Sequence, residues 1–161
     1  KINKQNGGWS PVAPSAIPFD DDYDIPIELS TSDIEQIIND FSTAATRSIN
    51  AGFQVIELHF AHGYLACEFM SPLSNKRKDC YGGSLDNRIR FPLEVCAAVR
   101  RVVPDNIPLF MRISATEHVE NGWDINHSIY LSNKASKTGV DLVDCSSGGN
   151  SQKQTVVSYP G

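Results

Sequence analysis

Three observations predict an α/β fold with about three parallel strands. Short β-type runs alternate with helical repeats, and each run has one apolar face and one that turns polar towards its C-terminal end. Strands separated by helices pair in parallel through crossover connections. The third observation is length: at 161 residues the chain is too short for a closed eight-unit β/α barrel of about 250. The sheet is therefore either open or a section of a barrel.

The elements follow in order. The first thirty residues are irregular, punctuated by Gly7-Gly8, Pro11, Pro14, Pro18 and Pro26, with Asp20 to Asp22 as a solvated acidic turn. Ser32 with Glu35 forms a capping box. The helix it starts shows Ile34, Ile37, Ile38, Phe41, Ala45 and Ile49 at helical spacing, and Gly52 closes it. Phe53 to His59 reads as a strand. A short helix over Gly63 to Met70 precedes a turn-rich stretch from Asn75 to Gly83. Ser84 caps a helix running to Arg101, in which Pro92 should remove one backbone hydrogen bond and bend the axis. Pro104 and Pro108 bracket its end, and Leu109 to Ala115 is the second strand. Asp124 caps a helix from Ile125 to about Lys137 that Gly139 closes, and Val140 to Ser147 is the third strand.

Composition narrows the function classes. Hydrophobic residues make up 40% and charged residues 20%, which suits one soluble domain. A net charge of −5 with no Lys/Arg cluster excludes a basic nucleic-acid footprint. The apolar runs are too short to span a membrane, and Lys1 to Gly8 lacks the apolar stretch of a signal peptide. Cys67, Cys80, Cys96 and Cys145 form no C-x-x-C pair and have no histidine at zinc-finger spacing. Reduced thiols in a cytoplasmic protein are expected.

Strand alternation gathers polar groups at one end of the sheet. Glu57 and His59 oppose Ile56 and Leu58; Arg112 and Ser114 oppose Leu109, Met111 and Ile113; Asp144 and Ser146 oppose Val143 and Cys145. The C-terminal end of parallel strands is where β/α barrels and open parallel sheets place catalytic groups. Each residue also has a plainer reading: Glu57 with Arg112 as a buried ion pair, Asp144 and Ser146 as caps on loop backbone.

His59-Phe60-Ala61-His62-Gly63-Tyr64 leaves the first strand with two imidazoles and a phenol. Three readings stand. His59 and His62 are a metal pair without a third ligand at recognisable spacing; or they are structural; or they are neutral N–H donors aimed at a substrate oxygen, with Tyr64 as proton donor. Fixed donors stabilise negative charge where it develops, and a phenol can protonate a strongly basic carbanion or enolate.

The motif His59-Phe60-Ala61-His62-Gly63-Tyr64-Leu65, followed by Ser71-Pro72-Leu73-Ser74-Asn75, Arg77, Asp79, Tyr81-Gly82-Gly83-Ser84, Asn87-Arg88 and Arg90-Phe91, resembles the Old Yellow Enzyme family in its bacterial-type, YqjM-like branch. Val12 to Ile17, Phe110 to Ala115 and Asp144 to Gly148 add to the resemblance, which covers nearly the whole chain. It implies a partial (β/α)8 TIM barrel, units four to six, with residues 1–31 an irregular loop and 32–161 the β/α units of one segment. It implies FMN as cofactor, NADPH or NADH as hydride donor, and a small-molecule α,β-unsaturated substrate. Residue by residue, His59 and His62 would bind the substrate's carbonyl or nitro oxygen, and Tyr64 would be the catalytic proton donor. Arg112 would lie by the flavin N1/O2 edge, and Ser146 would contact the flavin mononucleotide. The stretch from Ser71 to Phe91 would organise the long loop, with Asn87, Arg88 and Arg90 tying it down. Phe60 replaces the small residue usual between the histidines, and Cys80 stands where an acid is common. The family's early flavin loops and its phosphate-binding loops after strands seven and eight have no counterpart. The chain is thus expected to be the central segment of an ene-reductase. The alternative is a catalytically silent partial barrel that forms homo-oligomers or associates with missing barrel segments. A metal hydrolase is a third reading.

Overall fold

Ser30, two residues earlier than the spacing suggests, starts the first long helix in the computed structural model, which describes Ile2 and residues 4–155. Its side chain accepts the Asp33 N–H while the Asp33 carboxylate accepts the Ser30 N–H at 2.9 Å, so α1 (Thr31–Asn50) begins there. Ser32 and Glu35 offer a similar hydroxyl–carboxylate pair, but it is the reciprocal Ser30–Asp33 pair, two residues upstream, that closes. The expected core residues Ile34 and Ala45 are buried.

Three parallel strands follow in the order β3 (Ile56–Phe60), β4 (Leu109–Ser114), β5 (Leu142–Ser146). Their register sets His59 beside Arg112 and Arg112 beside Asp144, and pairs Ser114 with Ser146. The apolar faces of β3 and β4 carry Leu58, Phe60, Leu109, Met111 and Ile113, none more than 4% exposed. Phe41 of α1 packs edge-on against both Phe60 and Phe91 of α4 (Arg90–Arg100), and Phe69 of α2 (Leu65–Met70) meets Phe91 with ring centroids 4.4 Å apart. β5 is an outer strand with one neighbour, and there the expected apolar face is only half covered. Val143 is half-buried and Cys145 is exposed.

The helix expected from Ser84 to Arg101 is two. α3 (Leu85–Arg88) ends at Ile89, which then caps α4. Pro92 consequently sits in the first turn of α4, where an N–H would have no intrahelical partner, and it costs the helix nothing. The last helix, α5 (Ile125–Ala135), starts at the expected cap Asp124, then tightens into a 3-10 turn over Ser136–Thr138 that ends at Gly139.

The irregular first thirty residues contain one ordered device that the sequence reading missed. β1 (Val12–Ala13) pairs in parallel with β2 (Ile27–Glu28). Arg77, only 8% exposed, reaches across to donate to the Pro14 and Leu29 carbonyls at 2.9 and 2.6 Å while Asp79 holds its other edge. The loop clamps expected from sequence are formed. Arg88 donates to the Met70 and Gly83 carbonyls, Arg90 to Cys80, and Asn87 to Gly82. All four cysteines are free thiols, and burial pushes Cys67 and Cys96 up to about 12. No helix among the described residues is long and apolar enough to cross a membrane.

Candidate active site

β3 turns sharply at its C-terminal end, with His62 in the left-handed region at φ 60° and Gly63 at φ 75°. A left-handed non-glycine residue costs on the order of 1 kcal/mol and persists only where its surroundings impose it. Here they do. The His62 N–H donates to Ser114 Oγ at 2.9 Å, and Ser114 donates onward to the Gly148 carbonyl at 2.7 Å. The loops after β3 and β5 meet backbone to backbone. A Cβ on Gly63 would lie 2.2 Å from the Gly149 carbonyl oxygen, and one on Gly149 would lie 2.4 Å from His62 Cα. Neither position admits a side chain.

This pinning gathers the rings the sequence singled out. His59 lies 5.1 Å from His62 and 5.3 Å from Tyr64, centroid to centroid. His62 Nε2 shares a 2.6 Å hydrogen bond with Ser146 Oγ, which fixes the orientation of the ring. Tyr64 caps α2 and remains 63% exposed. Burial, with the neighbouring His62 and Arg112 charges, holds His59 below the usual histidine range against the pull of Glu57. At neutral pH its imidazole is uncharged, with one N–H to donate.

Two residues of the polar set are already engaged within the chain. Arg112 does not pair with Glu57, because the register sets Glu57 beside Phe110; it pairs with Asp144, Nη1 to Oδ2 at 3.1 Å. Ser114 is 1% exposed and spends its hydroxyl on the two loop backbones. The Arg112 Nε is buried with no hydrogen-bond partner among the described residues. A half-exposed cation with one orphaned N–H suits an electron-rich acceptor edge such as that of a flavin. Among the described residues, no three His, Cys, Asp or Glu side chains gather as a metal site.

Sequence reasoning missed two acids. Glu117, 1% exposed, receives the Ser71 hydroxyl at 2.8 Å, the Trp123 N–H at 2.7 Å and the Asn150 amide at 2.6 Å. It joins the loops after α2, β4 and β5. Glu68 lies in the first turn of α2, with His62 and Tyr64 on the wall of one cavity of about 480 Å³. The only signal in the sequence is its place four residues after Tyr64, one helical turn on. Burial pushes its carboxyl up to about 7, outweighing the helix N-terminal dipole.

Glu68 makes stability pH-dependent. The folded chain binds its extra proton between about pH 4.5 and about 7, so stability falls as pH rises through that window. A Glu68→Gln variant is expected to melt roughly 5 °C above the parent at pH 8, with the gap closing towards pH 4.5. Equal melting points at pH 8 would remove the buried-acid assignment.

A model of the NADH:flavin oxidoreductase / NADH oxidase family matches residues 2–158. The chain is 51% identical over 138 residues to an NADPH dehydrogenase of Bacillus cytotoxicus, covering 86% of this chain and 39% of that protein. Among solved structures it is similar to morphinone reductase in complex with tetrahydroNAD, at 30% identity and a TM-score of 0.75, covering 85% of this chain and 42% of that one. It is likewise similar to the old yellow enzyme homologue from Zymomonas mobilis, at 28% identity and a TM-score of 0.76, over 85% and 42% of the two chains. The three parallel strands with their helices are thus a partial (β/α)8 barrel. The chain spans between 39% and 43% of the lengths of the curated relatives it matches.

Proposed function

Because the chain belongs to the NADH:flavin oxidoreductase / NADH oxidase family, we propose that it carries the substrate-facing half of a reductase for activated C=C bonds. The observation that carries this reading is the cluster of His59, His62 and Tyr64 at the C-terminal end of a parallel strand. His59 and His62 donate hydrogen bonds to the carbonyl or nitro oxygen of an α,β-unsaturated substrate, stabilising the negative charge that develops there. Tyr64 gives its proton to the α carbon. Arg112 and Ser146 are the residues that would hold flavin mononucleotide, since Arg112 has an unused N–H and the Ser146 hydroxyl has capacity beyond its bond to His62. When bound, that cofactor would supply the hydride chemistry between NADPH or NADH and the β carbon. The chain's own contribution is to seat the alkene, polarise its oxygen and protonate it.

Arg112→Leu is expected to weaken flavin binding roughly 10- to 100-fold, the scale of a charge-assisted hydrogen bond. Flavin fluorescence quenching measures it, and an unchanged affinity takes Arg112 out of the cofactor site.

A second reading is favoured by the sheet, in which β3 and β5 each have a single neighbour among the described residues. Open edges invite further strands, and the chain would then be a silent partial barrel that associates with copies of itself or with further barrel segments. Mixing the purified chain with FMN separates the two. A bound-flavin spectrum, with NADPH oxidation that accelerates on adding a cyclic enone, supports the reductase. A chain that leaves flavin free in solution is the silent barrel.

A further inference from the structure

We propose that Glu68 is the proton reservoir of this site, reloading Tyr64 after the phenol has given its proton to substrate. The inference rests on the reductase reading above, and extends it to a residue that reading does not use.

The buried Glu117 and the half-buried Glu68 differ in what surrounds them. Glu117 has its carboxylate filled by three donors from three loops. That is the environment of a structural clamp. Glu68 has no hydrogen-bond or ion-pair partner for its carboxyl among the described residues, although its backbone N–H closes the first turn of α2 on the Tyr64 carbonyl at 3.0 Å. A half-buried carboxyl with no partner favours its protonated form, and so holds a proton that it can give up.

Its position connects the phenol to solvent. Glu68 lines the cavity that holds His62 and Tyr64, and also a second cavity of about 530 Å³ whose wall includes the exposed Glu120 and Lys153. Both spaces are large enough for water. The ionisable groups facing Glu68 are Tyr23, Asp24, His62 and Tyr64 on the first side, and Glu120 and Lys153 on the second. Tyr64 is open to solvent on its outer side; a substrate seated against the His59, His62 and Tyr64 rings would cover that face and leave the cavity side as a route for protons.

The transfer balances without any redox change. The Tyr64 O–H bond breaks as a C–H bond forms at the substrate α carbon, leaving a phenolate. The Glu68 carboxyl proton passes through cavity water to the phenolate oxygen, and the Glu68 carboxylate takes a proton from bulk water through the second cavity.

The test uses the flavin-loaded protein and compares steady-state alkene reduction, in which Tyr64 must be reloaded in every cycle, with flavin reduction by NADPH followed by stopped flow. In the parent, the ratio of alkene reduction to flavin reduction is expected to fall as pH rises through about 7. In Glu68→Gln that pH step is expected to vanish and the ratio at pH 6 to drop roughly 10-fold, a fraction of a full general-acid contribution. An infrared difference spectrum between parent and variant, independent of turnover, should show a protonated carboxyl band that titrates near pH 7. A parent-like pH step in Glu68→Gln, or no titrating band, overturns the proposal. Tyr64→Phe separates the two failures. If it leaves alkene reduction unchanged, the reductase reading falls; if it slows the reaction while Glu68→Gln matches the parent, only the reservoir falls.

Discussion

Tyr64→Phe in the flavin-loaded protein is expected to slow reduction of an activated alkene by about 10²- to 10⁴-fold, the usual contribution of a positioned general acid. The substitution removes one oxygen from a side chain that is 63% exposed, so it leaves no buried group without a partner. The ring contact with His59 at 5.3 Å does not depend on the hydroxyl. Reduction of the flavin by NADPH passes no proton through this phenol and should be largely spared. Rapid mixing resolves the two steps, and unchanged turnover with an enone would refute the proton-donor assignment.

The second large effect concerns stability. Glu117→Ala is expected to cost about 3 kcal/mol or more, because the Ser71 hydroxyl, the Trp123 N–H and the Asn150 amide lose a shared charged acceptor in a buried position. For a chain of this size that is a fall of roughly 10 °C in the thermal midpoint. The damage should extend to the site, since Asn150 directly follows the Gly148-Gly149 backbone that packs on His62. Circular dichroism melting measures the first effect. A midpoint within about 2 °C of the parent's would show that the three loops hold without the carboxylate.

Much of this geometry was legible in the sequence for a physical reason. Strand alternation has a period of two, so Leu58 and His59 had to face opposite ways once a strand was assigned, and β4 follows the same rule with Met111 and Arg112. The caps at Asp124 and Ser84 were readable because capping is local. Errors arose where a decision depends on competition or on distance. Ser30 prevails over Ser32 because both offer a cap and only one reciprocal pair closes. The Pro92 kink did not appear because Ile89 had already broken the helix upstream. The Glu57–Arg112 pair failed because alternation gives the face of a residue but not its register. Glu68 went unnoticed because the cavity it lines is walled by residues between Pro11 and Pro26, and nothing near Glu68 in the sequence records that approach.

The close approach of Gly63 and Gly149 limits how this pocket can be changed. A saturation library at either glycine would return mostly broken loops, because each alternative side chain meets backbone under 2.5 Å away. Diversity is better placed on the opposite wall, at Val12, Ile17 and Phe19, whose side chains are 38% to 42% exposed and line the same space. For anyone re-engineering the site, the histidine side is a fixed jaw and the N-terminal strap is the adjustable one.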